Sequence, residues 1–236
     1  MQTYENYIFE LFKNKKGVGN SLFFNPNKLR ILKIASACGL KIPSTFISSF
    51  NEQLANVIKN SITKSISEKL SYSDGEHLYD MFTSLAKEEF LQKKEEEFFP
   101  SLIQEKITKQ FEIRIFFLGT VFFTIAFFSQ EKERTSIDTR RINFSDTIRI
   151  IPFKLPKYIK DKLCLFIKKV KMNTGSIDMI VTPEDQYVFL EVNPWGYFNL
   201  HIEIGNFPID YLIAKKLKSF DNEYKSGKNK YITSNF

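Results

Sequence analysis

The sequence predicts an α+β protein built from antiparallel strand pairs and amphipathic helices. Segments 112–129 and 176–193 each contain two runs rich in β-branched and aromatic residues, separated by a short turn, which is the pattern of a β-hairpin. Between them, apolar residues recur at helical spacing, at Ile159, Leu163, Ile167 and Val170. Strands joined by tight hairpins lie antiparallel. Together these patterns place the chain in the α+β class.

The composition is that of a soluble globular protein. The chain has 236 residues, enough to bury a core in one or two domains, and 43% of them are hydrophobic. The formal net charge of +7 suits polyphosphate, nucleic acid or an acidic peptide. Cys38 and Cys164 lack the spacing of a metal site and indicate ordinary thiols in a reducing compartment.

The sequence shows no targeting or membrane segment. Its first residues lack the basic region and following apolar region of a secretory signal. The longest apolar stretch, 113–128, contains Arg114 and Gly119 and is too short to span a bilayer. We therefore expect a cytoplasmic protein with no membrane partner.

The first half of the chain predicts a helix followed by short strands. Asn25 and Pro26 suit the start of this helix, and Gly39 suits its end. The remaining predictions are a strand at 41–48, a short strand at 55–59, a loop or irregular hairpin at 60–76, a charged helix at 78–97 and a strand at 98–107.

The second half predicts two hairpins and two helices. In order along the chain, the predicted segments begin with a hairpin at 112–129 that turns near 118–120, a polar connection and an extended segment at 152–156. They continue with a helix at 157–172, a hairpin at 176–193, a closing helix at 208–217 capped by Asn206, and a frayed tail at 219–236.

Three oxygen-bearing side chains are predicted to meet on the hairpin at 176–193. Glu191 and Asn193 are two residues apart on one strand, so they point to the same face. If residues 183 and 186 flank the turn, paired residues have numbers that sum to 369, and Asp178 lies opposite Glu191. Two carboxylates and an amide oxygen suit Mg²⁺, because this ion typically binds one or two protein carboxylates together with the phosphates of a substrate. The alternative is a surface hairpin whose acidic residues face water.

In their order and spacing, motifs over residues 25–217 resemble those of the ATP-grasp superfamily. The strongest is Leu-Glu-Val-Asn-Pro at 190–194. The resemblance implies an ATP-grasp fold with two α+β subdomains whose antiparallel sheets enclose a nucleotide cleft. The cofactors would be ATP and Mg²⁺, with Asp178, Glu191 and Asn193 as metal ligands.

The resemblance also implies roles for other residues. Lys28 would face the nucleotide, and Lys59 would contact the α- and β-phosphates. A hinge would be formed by Gln104, Glu105, Lys106 and Ile107. It would contact adenine through its backbone and pair with the ribose. Glu112 begins the strand whose Arg114 would face phosphate, although a salt bridge between these two side chains is an equal alternative. Arg140 would contact phosphate or peptide, or remain solvated.

Within the superfamily, three segments resemble the microviridin-type and grasp-with-spasm peptide maturases. They are Asn27-Lys28-Leu29 followed by Gly39 to Pro43, the segment 129–140, and Pro152 to Pro156. The resemblance implies activation of a peptide side-chain carboxylate as an acyl phosphate and its joining to a hydroxyl or amine. The implied partners are ATP, a precursor peptide with its leader, a radical-SAM SPASM maturase and a second copy of the chain. Neither His77 nor His201 is expected to act as a base.

The chain departs from this family pattern at Asn60, Tyr197 and Gly205, and near its start. We expect residues 1–24 to be a remnant of an N-terminal domain, 25–107 and 108–218 to be the two ATP-grasp subdomains, and 219–236 to be a flexible tail. Such a truncated form would turn over slowly. The alternatives are an amino-acid ligase resembling the ribosomal-protein modification ligases, a non-catalytic remnant that binds nucleotide or leader peptide, and a nucleic-acid binder supported only by charge and aromatic content.

Overall fold

Two antiparallel sheets, connected by one short segment, form the frame of the molecule. The computed structural model describes residues 27–50, 58–64, 97–128, 148–194 and 196–225, together with Leu54 and shorter stretches among residues 3–19 and 66–86. None of the helices in these ranges combines the length and the apolarity needed to span a bilayer.

The smaller sheet has four strands in the order β1-β6-β2-β5. These strands are β1 (Thr45–Phe50), β2 (Ser61–Lys64), β5 (Ser84–Leu85) and β6 (Glu97–Glu105). A separate hairpin pairs β3 (Ser71–Ser73) with β4 (Leu78–Asp80). A short 3-10 helix (Ile58–Asn60) precedes β2 and buries Ile58 beside Leu54 and Ile103.

The larger sheet has five strands in the order β11-β10-β7-β8-β9. These strands are β7 (Phe111–Leu118), β8 (Val121–Phe128), β9 (Arg149–Pro152), β10 (Thr174–Val181) and β11 (Tyr187–Asn193). Only Lys106 to Gln110 separate β6 of the small sheet from β7 of the large one. The predicted hinge therefore lies at the connection between the two sheets.

Four helices within the described ranges cover the large sheet: α1 (Lys28–Ala37), α2 (Lys157–Val170), α3 (Asn199–Gly205) and α4 (Ile209–Lys225). On one face, α1 and α2 contribute to the main core, where Leu163 and Phe166 are fully buried with Ile115 and Met179. On the other face, Ile209 at the start of α4 packs with Phe116 and Phe123. The alternation along β7, with Ile115 on one face and Phe116 on the other, explains how one strand serves both cores.

Most predicted elements of the second half are confirmed. The hairpin at 111–128 turns at Gly119 and Thr120, and α2 spans 157–170 and ends at Lys171, which adopts a left-handed conformation with φ 57°. The strand predicted at 98–107 is β6, at 97–105.

Several predictions of the first half are wrong. The cap of α1 is Asn27, whose side chain accepts a hydrogen bond from the Arg30 amide, rather than Asn25. The strand predicted at 41–48 begins only at Thr45, because Lys41 forms an isolated bridge to Val188 of the other sheet. Residues 58–60, at the end of the strand predicted at 55–59, are helical. In the helix predicted at 78–97, β4 and β5 form instead, because pairing with β3 and β2 outweighs local helix propensity.

The C-terminal region also differs from the prediction. The short helix α3 was not predicted, and Asn206 ends it in a left-handed conformation with φ 49° instead of capping the next helix. The closing helix α4 continues to Lys225, past position 219 where the frayed tail was expected to begin. The stripe of partly buried Leu212 and Ile213, packed on Phe116 and Phe123, anchors its first turns.

Candidate active site

The strand pair β10–β11 brings together the residues predicted to bind metal. Asp178 lies directly opposite Glu191, and Ser176 lies opposite Asn193 at the end of β11. Residues opposite each other on neighbouring antiparallel strands share one face of the sheet. Asp178, Glu191 and Asn193 therefore project from the same face, as predicted.

A β-bulge at Leu190 sets this register. Near the turn, Met179 pairs with Phe189, so the numbers of paired residues sum to 368 rather than the predicted 369. Leu190 has no partner in the ladder, and beyond it the sum becomes 369. The predicted Asp178–Glu191 pair is thus correct although the predicted turn register is not. Bulges of this kind redirect side chains next to functional sites.

Arg114 forms an ion pair with Asp178 across β7 and β10. The two residues are direct partners in the ladder, and Arg114 Nε donates to Asp178 Oδ1 at 2.8 Å. Both side chains remain partly exposed, at 34% and 26%. The partner of Arg114 is therefore Asp178, so the alternative of a salt bridge between Arg114 and Glu112 is not the one that forms. The guanidinium also lies over the ring of Phe127, 5.7 Å from its centroid.

The charges around Arg114 keep it cationic. The pKa of its guanidinium is raised, chiefly by the negative charge of Asp178 and less by Glu112 and Glu191, although burial works in the opposite direction. Three carboxylates thus surround one arginine on this face. A carboxylate has about four lone-pair sites. Asp178 can therefore accept from Arg114 and still offer an oxygen to another ligand.

Glu112 has a different partner, which sequence reasoning missed. Its carboxylate pairs with the ammonium of Lys109, whose side chain is almost completely buried. This pair lies at the start of β7, next to the connection between the sheets. A buried lysine is nearly always paired. The spacing of three residues between Lys109 and Glu112 was the available signal in the sequence.

His201 supports Arg114 from α3. The histidine is fully buried, and its Nε2 lies 3.1 Å from the Arg114 carbonyl oxygen, which can only accept a hydrogen bond. Burial lowers the pKa of His201, so the ring is neutral at pH 7. In the described part of the chain, His201 Nδ1 and the buried Ser176 hydroxyl have no hydrogen-bond partner. Ser176, two residues before Asp178, was detectable from strand spacing, whereas His201 was not because α3 itself was missed.

The predicted hinge residues lie at the end of β6 and just beyond it. Gln104 is buried, and its amide nitrogen donates to Thr45 Oγ1 at 2.8 Å. Glu105 Oε2 accepts from the Ser44 amide at 3.2 Å. Lys106 and Ile107 lie in the connection to β7, where the Lys106 amide donates to the Asn60 carbonyl oxygen at 2.9 Å. The connection is therefore anchored to both β1 and the 3-10 helix.

The other residues predicted to contact phosphate or peptide do not belong to β10 or β11. Lys28 is the first residue of α1 and is partly exposed. Lys59 lies in the 3-10 helix rather than in a strand, and its side chain is exposed. Arg140 falls outside the described residues.

The donor set on β10 and β11 fits a hard divalent cation. In the described ranges, no group of three or more His, Cys, Asp or Glu side chains is arranged to hold a metal ion. Two carboxylates and one amide carbonyl instead share a face, and all three residues are at least partly exposed. Mg²⁺ in nucleotide sites takes one or two carboxylates and completes its shell with phosphates and water. Asp178, Glu191 and Asn193 would serve as its protein ligands.

Similarity to solved structures identifies the fold. The macrocyclase MdnC from Microcystis aeruginosa MRC, solved with its precursor peptide MdnA, is 33% identical with a TM-score of 0.69, over 81% of this chain and 61% of that one. A RiPP-associated ATP-grasp ligase from Chryseobacterium gregarium, solved with ADP and a leader and core peptide, is 28% identical with a TM-score of 0.74, over 84% and 62%. This chain has the ATP-grasp fold.

The resemblance to peptide-modifying ATP-grasp ligases, which was predicted from the sequence, is confirmed by these similar structures. The D-Ala:D-Ser ligase VanG from Enterococcus faecalis, at 17% identity and a TM-score of 0.53, shares the fold alone. The chain spans about three fifths of the length of the ligases it resembles. No protein-family model and no curated protein sequence matches the chain.

Proposed function

We propose that this chain is the catalytic part of an ATP-dependent ligase that modifies a ribosomally made precursor peptide. A side-chain carboxylate of the peptide would be activated as an acyl phosphate and then joined to a hydroxyl or amine of the same peptide. The observation that carries the proposal is the row Arg114–Asp178–Glu191 across three adjacent strands of an ATP-grasp fold. Similar solved ligases contain precursor peptides, ADP and Mg.

The proposal assigns the small sheet, within 25–107, and the large sheet, within 108–218, to the two sides of a nucleotide cleft, with α1 packed on the large sheet. The support is the separation of the two sheets, which are joined by Lys106 to Gln110. Gln104 to Ile107 would contact the adenosine, and Lys28 and Lys59 would contact the phosphates. Glu112, paired with Lys109, lies where this hinge enters the large sheet.

Arg114 is the residue to which we assign transition-state stabilisation. Phosphoryl transfer is accelerated mainly by positioning and charge neutralisation. The Asp178 carboxylate accepts a hydrogen bond from the Arg114 guanidinium and so fixes its position. The His201 ring contacts the backbone carbonyl oxygen of Arg114 and so holds the main chain of the arginine. When bound at Asp178, Glu191 and Asn193, Mg²⁺ would neutralise charge on the β- and γ-phosphates. Arg114 would then stabilise the charge that develops on the transferred group.

An isotope experiment tests the chemistry directly. A precursor peptide with ¹⁸O in its Asp and Glu side-chain carboxylates is incubated with the chain, ATP and Mg²⁺. If an acyl phosphate forms, one labelled oxygen passes to phosphate when the new bond forms, and the product peptide loses one water per bond. Turnover that leaves the phosphate unlabelled would contradict the acyl-phosphate step. In a second reaction supplied with free amino acids, a gain in peptide mass would instead support the amino-acid ligase, which would act on the unlabelled terminal carboxylate.

The proposed partners are ATP and a precursor peptide with its leader, in the cytoplasm. The sequence resemblance adds a radical-SAM SPASM maturase and a second copy of the chain. Co-purification with the maturase and a molar mass measured by light scattering test these two assignments separately.

A further inference from the structure

The Glu112 carboxylate interacts with two cations of the same region. It pairs with the Lys109 ammonium. The pKa of the Arg114 guanidinium is raised chiefly by Asp178 and further by Glu112, so the charge of Glu112 also reaches this second cation. The two cations differ in burial, since the side chain of Lys109 is 5% exposed and that of Arg114 is 34% exposed.

The geometry of β7 allows a direct pair between Glu112 and Arg114. The two residues are two apart on one strand, so their side chains share a face and their Cα atoms are about 6.6 Å apart. The Arg114 guanidinium lies 5.7 Å from the centre of the Phe127 ring, and Phe127 is the partner of Glu112 in the ladder. Long side chains on one face reach across such distances. A salt bridge between Glu112 and Arg114 is therefore within reach.

The structure allocates the two carboxylates differently. Glu112 is bound to Lys109, and Arg114 Nε donates to Asp178 Oδ1 at 2.8 Å. A buried ammonium without a carboxylate has lost its hydration and gained nothing in return, whereas a partly exposed guanidinium keeps contact with water. Lys109 therefore gains more from Glu112 than Arg114 would.

The connection that carries Lys109 is held at both ends. The Lys106 amide donates to the Asn60 carbonyl oxygen at 2.9 Å, and the Gln110 amide donates to the Val181 carbonyl oxygen at 2.7 Å. The first contact ties the connection to the 3-10 helix, and the second ties it to the end of β10. Because Lys109 directly precedes Gln110, its backbone is fixed relative to the large sheet.

We propose that Lys109 is a positioning residue, which binds the Glu112 carboxylate and thereby leaves the Arg114 guanidinium to Asp178. Without the buried ammonium, Glu112 would compete with Asp178 for the guanidinium. The consequence for turnover rests on the proposed function, in which Arg114 stabilises the charge of the transferred group. The allocation of the two carboxylates does not depend on that function, because it involves only side chains of this chain.

Lys109→Met tests the proposal, because it removes the ammonium and keeps an apolar stem. Turnover is measured as ADP release with ATP, Mg²⁺ and the precursor peptide of the isotope experiment. We expect kcat to fall about tenfold and the KM for ATP to change less than about twofold, because Arg114 acts on the transition state. Lys109→Gln should lower kcat only about threefold, because its amide can still donate to Glu112. Damage to the hinge would instead raise the KM for ATP.

A second substitution separates competition from structural damage. In Lys109→Met/Glu112→Gln, position 112 no longer carries a charge that competes for Arg114, so most of the lost kcat should return. The matched control is Lys157→Met with and without Asp161→Asn, an ion pair whose lysine side chain is 88% exposed. Both control variants should keep the native kcat and KM. All variants are assayed at a temperature at which circular dichroism shows each of them to be folded.

The Nε–H group of Arg114 reports the pairing in the absence of any substrate. The chain has six arginines, so the Nε resonances of protein labelled with ¹⁵N-arginine are few, and Arg114→Lys identifies the relevant one. We expect this proton to exchange with water about fivefold faster in Lys109→Met than in the native chain, because its bond to Asp178 opens more often. In Lys109→Met/Glu112→Gln the exchange rate should return close to the native value.

The two measurements distinguish the possible failures. Equal exchange rates in the native chain and Lys109→Met, or a loss of kcat that Glu112→Gln does not reverse, would overturn the positioning role. An unchanged kcat in Lys109→Met would likewise remove Lys109 from the reaction. If exchange responds as expected but the native chain releases no ADP, the allocation of the carboxylates stands and the proposed function fails.

Discussion

Asp178 lies opposite Glu191 because Leu190, between Phe189 and Glu191, has no partner in the ladder. Without this bulge, Leu190 would face Asp178, and Glu191 would point to the buried face of the sheet. One extra residue in β11 therefore decides whether two carboxylates share a face. The same face holds Arg114, whose guanidinium is bound to Asp178 at 2.8 Å.

The first prediction concerns the metal ligands. Asp178→Asn and Glu191→Gln should each weaken nucleotide binding in the presence of Mg²⁺ by about 2–5 kcal/mol, the usual cost of removing one charged partner. Binding measured with EDTA should change much less. The control is Asp185→Asn, at the opposite end of the same hairpin, which should bind as the native chain does. Calorimetric titration with and without Mg²⁺ makes the comparison, and equal losses in both conditions would contradict the metal assignment.

Sequence patterns predicted the parts of the fold that local chemistry determines. The hairpin at 111–128 and the helix α2 follow from residue alternation and helical spacing. The Asp178–Glu191 pair was predicted from a turn register that is off by one residue, and the bulge at Leu190 restores the pair. The role of Arg114 was predicted from the family resemblance, because its position two residues after Glu112 indicates only that these two side chains share a face.

The partners of the site residues depended on tertiary pairing and were not predictable in this way. The register of β7 against β10 places Asp178 opposite Arg114, and Glu112 pairs instead with Lys109. Within the predicted helix 78–97, the described residues 78–80 and 84–85 form strands because β3 and β2 supply edges for pairing. The contact of His201 with Arg114 depends on α3, and no periodic pattern in the sequence predicts this helix.

The second prediction concerns Arg114. Arg114→Gln should lower kcat about a hundredfold, because it removes a charge directed at the developing transition state. Arg114→Lys should keep part of the activity, since a lysine retains the charge but loses the planar guanidinium that holds the Asp178 carboxylate. The expected cost in stability is only about 1 kcal/mol, because the ion pair is partly exposed. Arg149→Gln, at an exposed position over Phe128, is the matched control. A rate for Arg114→Gln equal to that of the control would remove Arg114 from the mechanism.

The third prediction concerns pH. The pKa of His201 is lowered in the folded chain by burial, whereas in the unfolded chain it is about 6.5. Below pH 6.5 the unfolded state therefore binds a proton that the folded state does not. Stability should fall as the pH decreases from about 6.5 to the folded pKa, with a slope of up to about 1.4 kcal/mol per pH unit.

Replacing this histidine isolates its contribution. His201→Gln retains a side-chain donor for the Arg114 carbonyl oxygen and cannot take up a proton in this range. Urea unfolding at several pH values below 6.5 should show a shallower pH dependence of stability for the variant than for the native chain, because only the native chain loses stability through the lowered pKa of His201. Parallel curves would mean that His201 does not contribute to the pH dependence.

The fourth prediction concerns the backbone that ends β11. Gly196 has a φ of 39°, and a Cβ there would lie 2.8 Å from the carbonyl carbon of Gly175. Gly119 has a similar φ of 61°, but a Cβ at that position would meet nothing within 4 Å. Both alanine variants incur the strain of a left-handed conformation, about 1–2 kcal/mol. Gly196→Ala should in addition force the turn away from β10 and carry Asn193 with it.

The comparison of these two variants separates strain from steric contact. Gly196→Ala should lower the free energy of unfolding by at least about 1 kcal/mol more than Gly119→Ala, because the contacting atoms are backbone and cannot move aside cheaply. It should also weaken Mg²⁺-dependent nucleotide binding, since Asn193 lies opposite Ser176 only while this close approach is kept. Urea unfolding and calorimetric titration measure the two effects. Equal destabilisation of both variants, with unchanged nucleotide affinity, would show that the contact between Gly196 and Gly175 does not position the metal ligand.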